Sequence, residues 1–125
     1  MSSLRFVVFG RAVLLGALLF GWGGSVEAAG ALAFGKCGAY GHAFDYRDAA
    51  AALTAARAKC HGQCTTVTMN RACVALSVDM KNPCGAHGYA VAARISGALN
   101  TSMKNCYKFG GKECVIRTWA CDARG

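Results

Sequence analysis

Eight cysteines and two inverted Tyr/His pairs are the residues of this chain whose types and spacing bear on chemistry. The peptide Cys37-Gly38-Ala39-Tyr40-Gly41-His42-Ala43 returns as Cys84-Gly85-Ala86-His87-Gly88-Tyr89-Ala90, with Tyr and His exchanged. Each copy leads into an Ala-rich segment ending in Cys, followed by two more cysteines. One set is Cys37, Cys60, Cys64 and Cys73; the other is Cys84, Cys106, Cys114 and Cys121. Cysteines can ligate zinc, carry redox chemistry or cross-link the chain. There is no Cys-x2-Cys, and the Cys60/Cys64 and Cys106/Cys114 spacings differ, which argues against a structural metal and a dithiol catalyst. A duplicated, even set reads as four disulfides.

Catalysis by other groups finds little support. No Gly-x-Ser-x-Gly elbow occurs. Beyond residue 28 only five acids remain, and Asp45 and Asp48 are assigned to a helix start, so no carboxylate pair for glycoside cleavage is evident. His61 falls in the turn after a helix, where exposure is expected. Tyr40 with His42 and His87 with Tyr89 fall in Gly-rich strands, facing one another across a pseudo-two-fold. Cross-strand packing is their structural reading. Their functional reading is a shallow site for an anion or sugar, or a small secreted enzyme or effector using His42 or His87.

The N-terminus reads as an export signal. Arg5 and Arg11 supply positive charge, Ala12 to Trp22 is apolar and uncharged, and Val26-Glu27-Ala28 presents small residues for cleavage after Ala28. The apolar run is too short to span a bilayer, so no stable membrane insertion is expected after cleavage. Residues 29–125 then form one small domain, placed in the periplasm or outside the cell, where disulfides persist. Of fourteen Lys and Arg, Arg5 and Arg11 are removed; of six Asp and Glu, Glu27 is removed; the remainder carries a formal +7. Such a charge favours an anionic envelope polymer or protein as partner. The mild cluster Lys104, Lys108 and Lys112 is the candidate anion site. No nucleic-acid module is recognisable. Asn100-Thr101-Ser102 is treated as a chance glycosylation match, and Trp119 is expected in the core.

The elements that must position these groups repeat. Ala31 to Phe34 and Gly38 to Phe44 read as strands, with glycines making room for close backbone approach. Asp45 is the expected N-cap of a helix from Ala49, with Asp48 in its first turn. Ala49, Leu53, Ala56 and Cys60 mark its inner face, Gly62 its stop signal, and Cys64 to Met69 a strand. The second copy alternates Val74, Leu76 and Val78. It breaks at Pro83 and forms a helix with Ile95, Leu99 and Cys106 on its inner stripe and Met103 nearby, then turns at Gly110-Gly111 and ends in a strand from Cys114 to Cys121. The expectation is an α+β domain from a tandem β-β-α-β duplication, repeats 31–72 and 73–121, with two helices packed on one sheet.

Geometry narrows the pairings. Cys114 and Cys121 at opposite ends of one strand would lie about 23 Å apart and cannot bond. Cys60–Cys64 and Cys106–Cys114 are favoured across equivalent turns, leaving Cys37–Cys84 and Cys73–Cys121 as symmetry mates. Eight cysteines allow 105 pairings in principle.

This pattern resembles the bacterial domain-of-unknown-function 4189 family. The matching segments are Ala49 to Cys60, Cys64 to Met69 and Cys73-Val74-Ala75-Leu76 in the first copy, and Gly97 to Cys106 and Cys114 to Cys121 in the second. Cys37 and Cys84 are additional to the family's usual six cysteines. The resemblance implies an exported bacterial protein and supplies no catalytic residues. The expectation is therefore a non-enzymatic binding domain without cofactor or metal.

Overall fold

Two strands are buried along their whole length, Ala29–Phe34 (β1) and Cys73–Asp79 (β4), and the fold is organised around them. The computed structural model describes residues 29–122; the expected export signal, residues 1–28, lies outside the described residues. After β1 come β2 (Tyr40–Tyr46), α1 (Ala49–Lys59) and β3 (Thr65–Met69). After β4 come β5 (His87–Ala92), α2 (Ile95–Lys108) and β6 (Cys114–Cys121). The β-β-α-β order thus occurs twice.

The strands form two antiparallel sheets, ordered β2-β1-β3 and β5-β4-β6, rather than the single sheet expected from the sequence. The alternation in β1 and β4 explains why. Leu32 and Phe34 of β1 meet Val74 and Leu76 of β4, with Met69 and Ala120, in an apolar layer between the sheets. The other face of β1 carries Ala31 and Ala33, which pack with Ala52 and Ala56 of α1. The other face of β4 carries Cys73 and Ala75, which pack with Ala98 of α2. Large side chains therefore point to the partner sheet and small ones to a helix, giving four layers: helix, sheet, sheet, helix.

Small residues on the helix side let each helix lie almost on the backbone. A Cβ at Gly41 would meet the Ala56 carbonyl and come within 2.7 Å of Lys59 Cβ. One at Gly88 would meet the Ser102 carbonyl and come within 2.8 Å of Asn105 Cβ. These are equivalent positions of the repeated peptide, and the alternating glycines serve the close packing expected of them. Ser77, fully buried under α2, donates from Oγ to the Ser102 carbonyl at 2.6 Å, so the polar atoms at this contact are paired.

Several local expectations are corrected. Asp48, not Asp45, caps α1: its carboxylate accepts from Ala51 N at 2.8 Å. Asp45 instead takes a left-handed conformation (φ 63°) in the turn before the helix. The inner stripe of α1 is Ala52 and Ala56, with Ala49 exposed; that of α2 is Ala98, Ser102 and Cys106, with Ile95, Leu99 and Met103 at its margin. The helices lie too close to the sheets for the larger side chains to face them directly.

The four disulfides are Cys37–Cys84, Cys60–Cys64, Cys73–Cys121 and Cys106–Cys114, the pairs that turn and strand spacing favoured. Cys73 opens β4 and is the direct cross-strand partner of Cys121, so that bond lies within one sheet. Among the described residues no helix is long and apolar enough to cross a membrane.

Candidate functional site

The two halves differ most after their helices. Cys60 and Cys64 are 4 residues apart, whereas Cys106 and Cys114 are 8 apart. The α1 helix ends one residue before Cys60, but α2 runs past Cys106 through Tyr107 and Lys108. It then closes with Gly110 in the left-handed region (φ 100°), its N–H donating to the Tyr107 carbonyl while Gly111 N donates to that of Cys106. This is a Schellman stop, and it leaves Phe109 projecting from the helix end, 67% exposed.

The added turn builds one wall of a groove of about 710 Å³. Its opposite wall is β5, and His87, Gly88, Tyr89, Asn105 and Phe109 line it. Asn105 Nδ2 donates to the Tyr89 carbonyl at 3.1 Å. At the equivalent place in the first half, the Lys59 ammonium donates to the His42 carbonyl at 3.0 Å. A smaller cavity of about 220 Å³ opens at the sandwich end beneath Cys37–Cys84, lined by Phe34, Leu76, Val78 and His87 among others.

Charge around the groove is strongly one-sided. Neither helix contains an acidic residue. Lys104 and Lys108 are exposed, and their i,i+4 spacing places them on one face of α2. Lys112 follows in the loop, where its side chain is exposed and its N–H donates to Asp79 Oδ2 at 3.2 Å. Of the five acids beyond residue 28, two are buried and a third holds a helix cap at the surface. Asp48 caps α1, Asp122 is fully buried, and Asp79 is 5% exposed. Asp79 also accepts from Lys81 N and Glu113 N, at 3.0 and 3.1 Å. Burial alone would raise its pKa; the three backbone donors outweigh that and hold it below the ordinary carboxyl value. The outward charge is therefore more positive than the composition implies.

The Tyr/His residues fall into two groups. Tyr40 and His42 stack with centroids 5.9 Å apart, Phe44 lies 5.9 Å beyond His42, and Arg117 sits over the Tyr40 ring at 5.1 Å. His87 and Tyr89 both pack on Phe34, at 5.7 and 4.7 Å. Among the described residues no ring contact joins the two groups; Phe34, cross-strand partner of Tyr40, stands between them. His42 and His87 make their ring contacts in separate groups. His61 is exposed, as expected. Trp119, expected in the core, is 54% exposed. Its cross-strand partner Ala75 is on the helix side, but α2 covers mainly β5 and β4 and leaves the β6 rim open.

His42 Nδ1 is buried without a hydrogen-bond partner. Burial and then the nearby Lys59 ammonium hold its pKa below 6.5. The unfolded chain therefore takes up this proton first, and His42 contributes stability that is full above the unfolded pKa and lost as pH falls through the folded one. Denaturation midpoints measured between pH 7 and pH 5 should fall less steeply in His42→Gln than in the parent; identical slopes would refute this.

Asn105, Phe109 and the Arg117–Tyr40 contact were not singled out in the sequence. The one available signal was the longer Cys106–Cys114 turn. A family model described as domain of unknown function (DUF4189) matches residues 29–121. No curated protein and no solved structure shows significant similarity to the chain.

Proposed function

We propose that this chain, which belongs to the DUF4189 family, is an exported, disulfide-stabilised and non-enzymatic domain that binds an anionic component of the bacterial envelope. The observation that supports this reading is the α2 face. Lys104 and Lys108 stand together on a helix without acids, Lys112 extends the patch, and Asp79 and Asp122 are turned inward. Four disulfides in a small domain fit an oxidising compartment, periplasmic or extracellular. Clustered exposed cations attract anionic polymers with an affinity that salt weakens.

Replacing Lys104, Lys108 and Lys112 together with glutamine should reduce retention on purified envelope fragments and flatten its salt dependence. All three side chains are exposed, so the fold should be undisturbed. A co-sedimentation assay across a salt series reads both quantities. Unchanged retention and unchanged salt sensitivity would defeat the proposal.

A further inference from the structure

The groove between β5 and the extended end of α2 has the build of a ligand site, and its walls narrow the chemistry. Gly88 is part of its lining, and its missing side chain lets α2 lie directly against β5 beside the groove. Two aromatic rings flank it and are substantially exposed, Phe109 at 67% and Tyr89 at 39%. Tyr89 packs on Phe34 at 4.7 Å, and the Gly110 stop sets the backbone from which Phe109 projects. Asn105 and His87 add polar groups at the same surface; one Asn105 amide N–H is engaged by the Tyr89 carbonyl, and its side-chain oxygen can accept a hydrogen bond. A volume of about 710 Å³ is of the order that encloses a small organic ligand or two to three sugar rings.

An extended peptide would use β5 by adding a strand to its open edge, which requires free backbone acceptors. The Tyr89 carbonyl in the middle of that edge is already occupied by Asn105. Exposed aromatic rings with amide and imidazole groups beside them suit the mixed apolar and hydroxylic faces of sugars instead. The lysines of the same helix end supply the counter-charge for carboxylates.

We infer that this groove binds an acidic glycan, with sugar faces packed on Phe109 and Tyr89, hydroxyls on Asn105 and His87, and carboxylates toward Lys104 and Lys108. The inference rests on the anion-binding reading above and names the ligand class for that surface.

The test uses the folded, oxidised protein, titrated with trigalacturonate and with a hyaluronan tetrasaccharide while amide shifts are followed by NMR. Neutral maltotriose and hexaglutamate are the comparison probes. At least one acidic sugar should shift residues 85–89, 105 and 109. Phe109→Ala, a change at an exposed side chain, should weaken that binding about tenfold. Maltotriose should bind at least tenfold more weakly than the acidic sugars by the same measure. Hexaglutamate binding as tightly as the sugars, or equal affinity in Phe109→Ala, would overturn the glycan assignment while leaving the anion reading intact. Failure of both acidic sugars at millimolar concentration would overturn it as well. Loss of the lysine effect on envelope retention is the separate result that removes the underlying reading.

Discussion

Asp122→Ala should lower the unfolding free energy by about 3–5 kcal/mol, the largest loss expected for a single side chain outside the disulfides. The carboxylate is fully buried and accepts from two backbone N–H groups, Asp45 N on Oδ1 and Arg71 N on Oδ2, both at 3.0 Å. Both donors belong to residues in the left-handed region, φ 63° and 55°. One shapes the entry to α1 and the other the link from β3 to β4, so a single side chain at the end of β6 holds two turns in uncommon conformations. Asp122 N also donates to the Ala72 carbonyl at 2.8 Å, which places the carboxylate between them. Hydrogen bonds to a charged acceptor contribute roughly 1.5–3 kcal/mol each, and truncation takes the acceptor from both donors. For a domain of this size each kcal/mol corresponds to a shift of about 4–8 °C in melting temperature. Denaturant unfolding with disulfides intact measures the effect, and a loss under about 1 kcal/mol would show that water or another acceptor replaces the carboxylate.

Gly88→Ala and Gly41→Ala should each cost about 2–4 kcal/mol, although each adds a single methyl group. The new Cβ at Gly88 would collide with the Ser102 carbonyl and the Cys106 amide, and at Gly41 with the Ala56 carbonyl. Backbone cannot rotate away as a side chain can, so the helix must lift from its sheet and loosen the Ala-lined contact beneath it. Gly62→Ala is the informative comparison. Nothing lies within 4 Å of the added atom, and only its positive φ of 84° is penalised, at about 1–2 kcal/mol. Gly88 carries no positive φ, so a loss there below about 1 kcal/mol would mean that the helix shifts to admit the methyl and that close approach does not explain the repeated glycines.

Those glycines were legible in the sequence because their spacing recurs beside Ala-rich helices, and the element order and disulfide pairs followed from the same repetition. The second sheet was not. Alternation in β1 and β4 shows that both faces are buried, but it does not say whether the second cover is a helix or another sheet. The capping roles of Asp45 and Asp48 were ambiguous because either acid can precede a helix at Ala49; the left-handed turn held by Asp122 decides between them, and that contact spans 77 residues. Trp119 was misjudged because burial on an edge strand depends on how far the covering helix extends. The groove escaped notice for a related reason. Lys104, Lys108 and Lys112 stand out by charge, whereas Phe109 matters only through the helix end that displays it.

Three of the disulfides join residues of the same half, and only Cys37–Cys84 joins one half to the other. In oxidative maturation the three can close as soon as their own strands and turns form. Cys37 and Cys84 meet only after the Leu32, Phe34, Val74 and Leu76 layer has brought the hairpin ends together. This last bond is therefore a covalent record that the halves have docked. Together with the short link at residues 70–72 it fastens them at two points, so neither half can be exchanged with that of a neighbouring molecule while the protein stays oxidised.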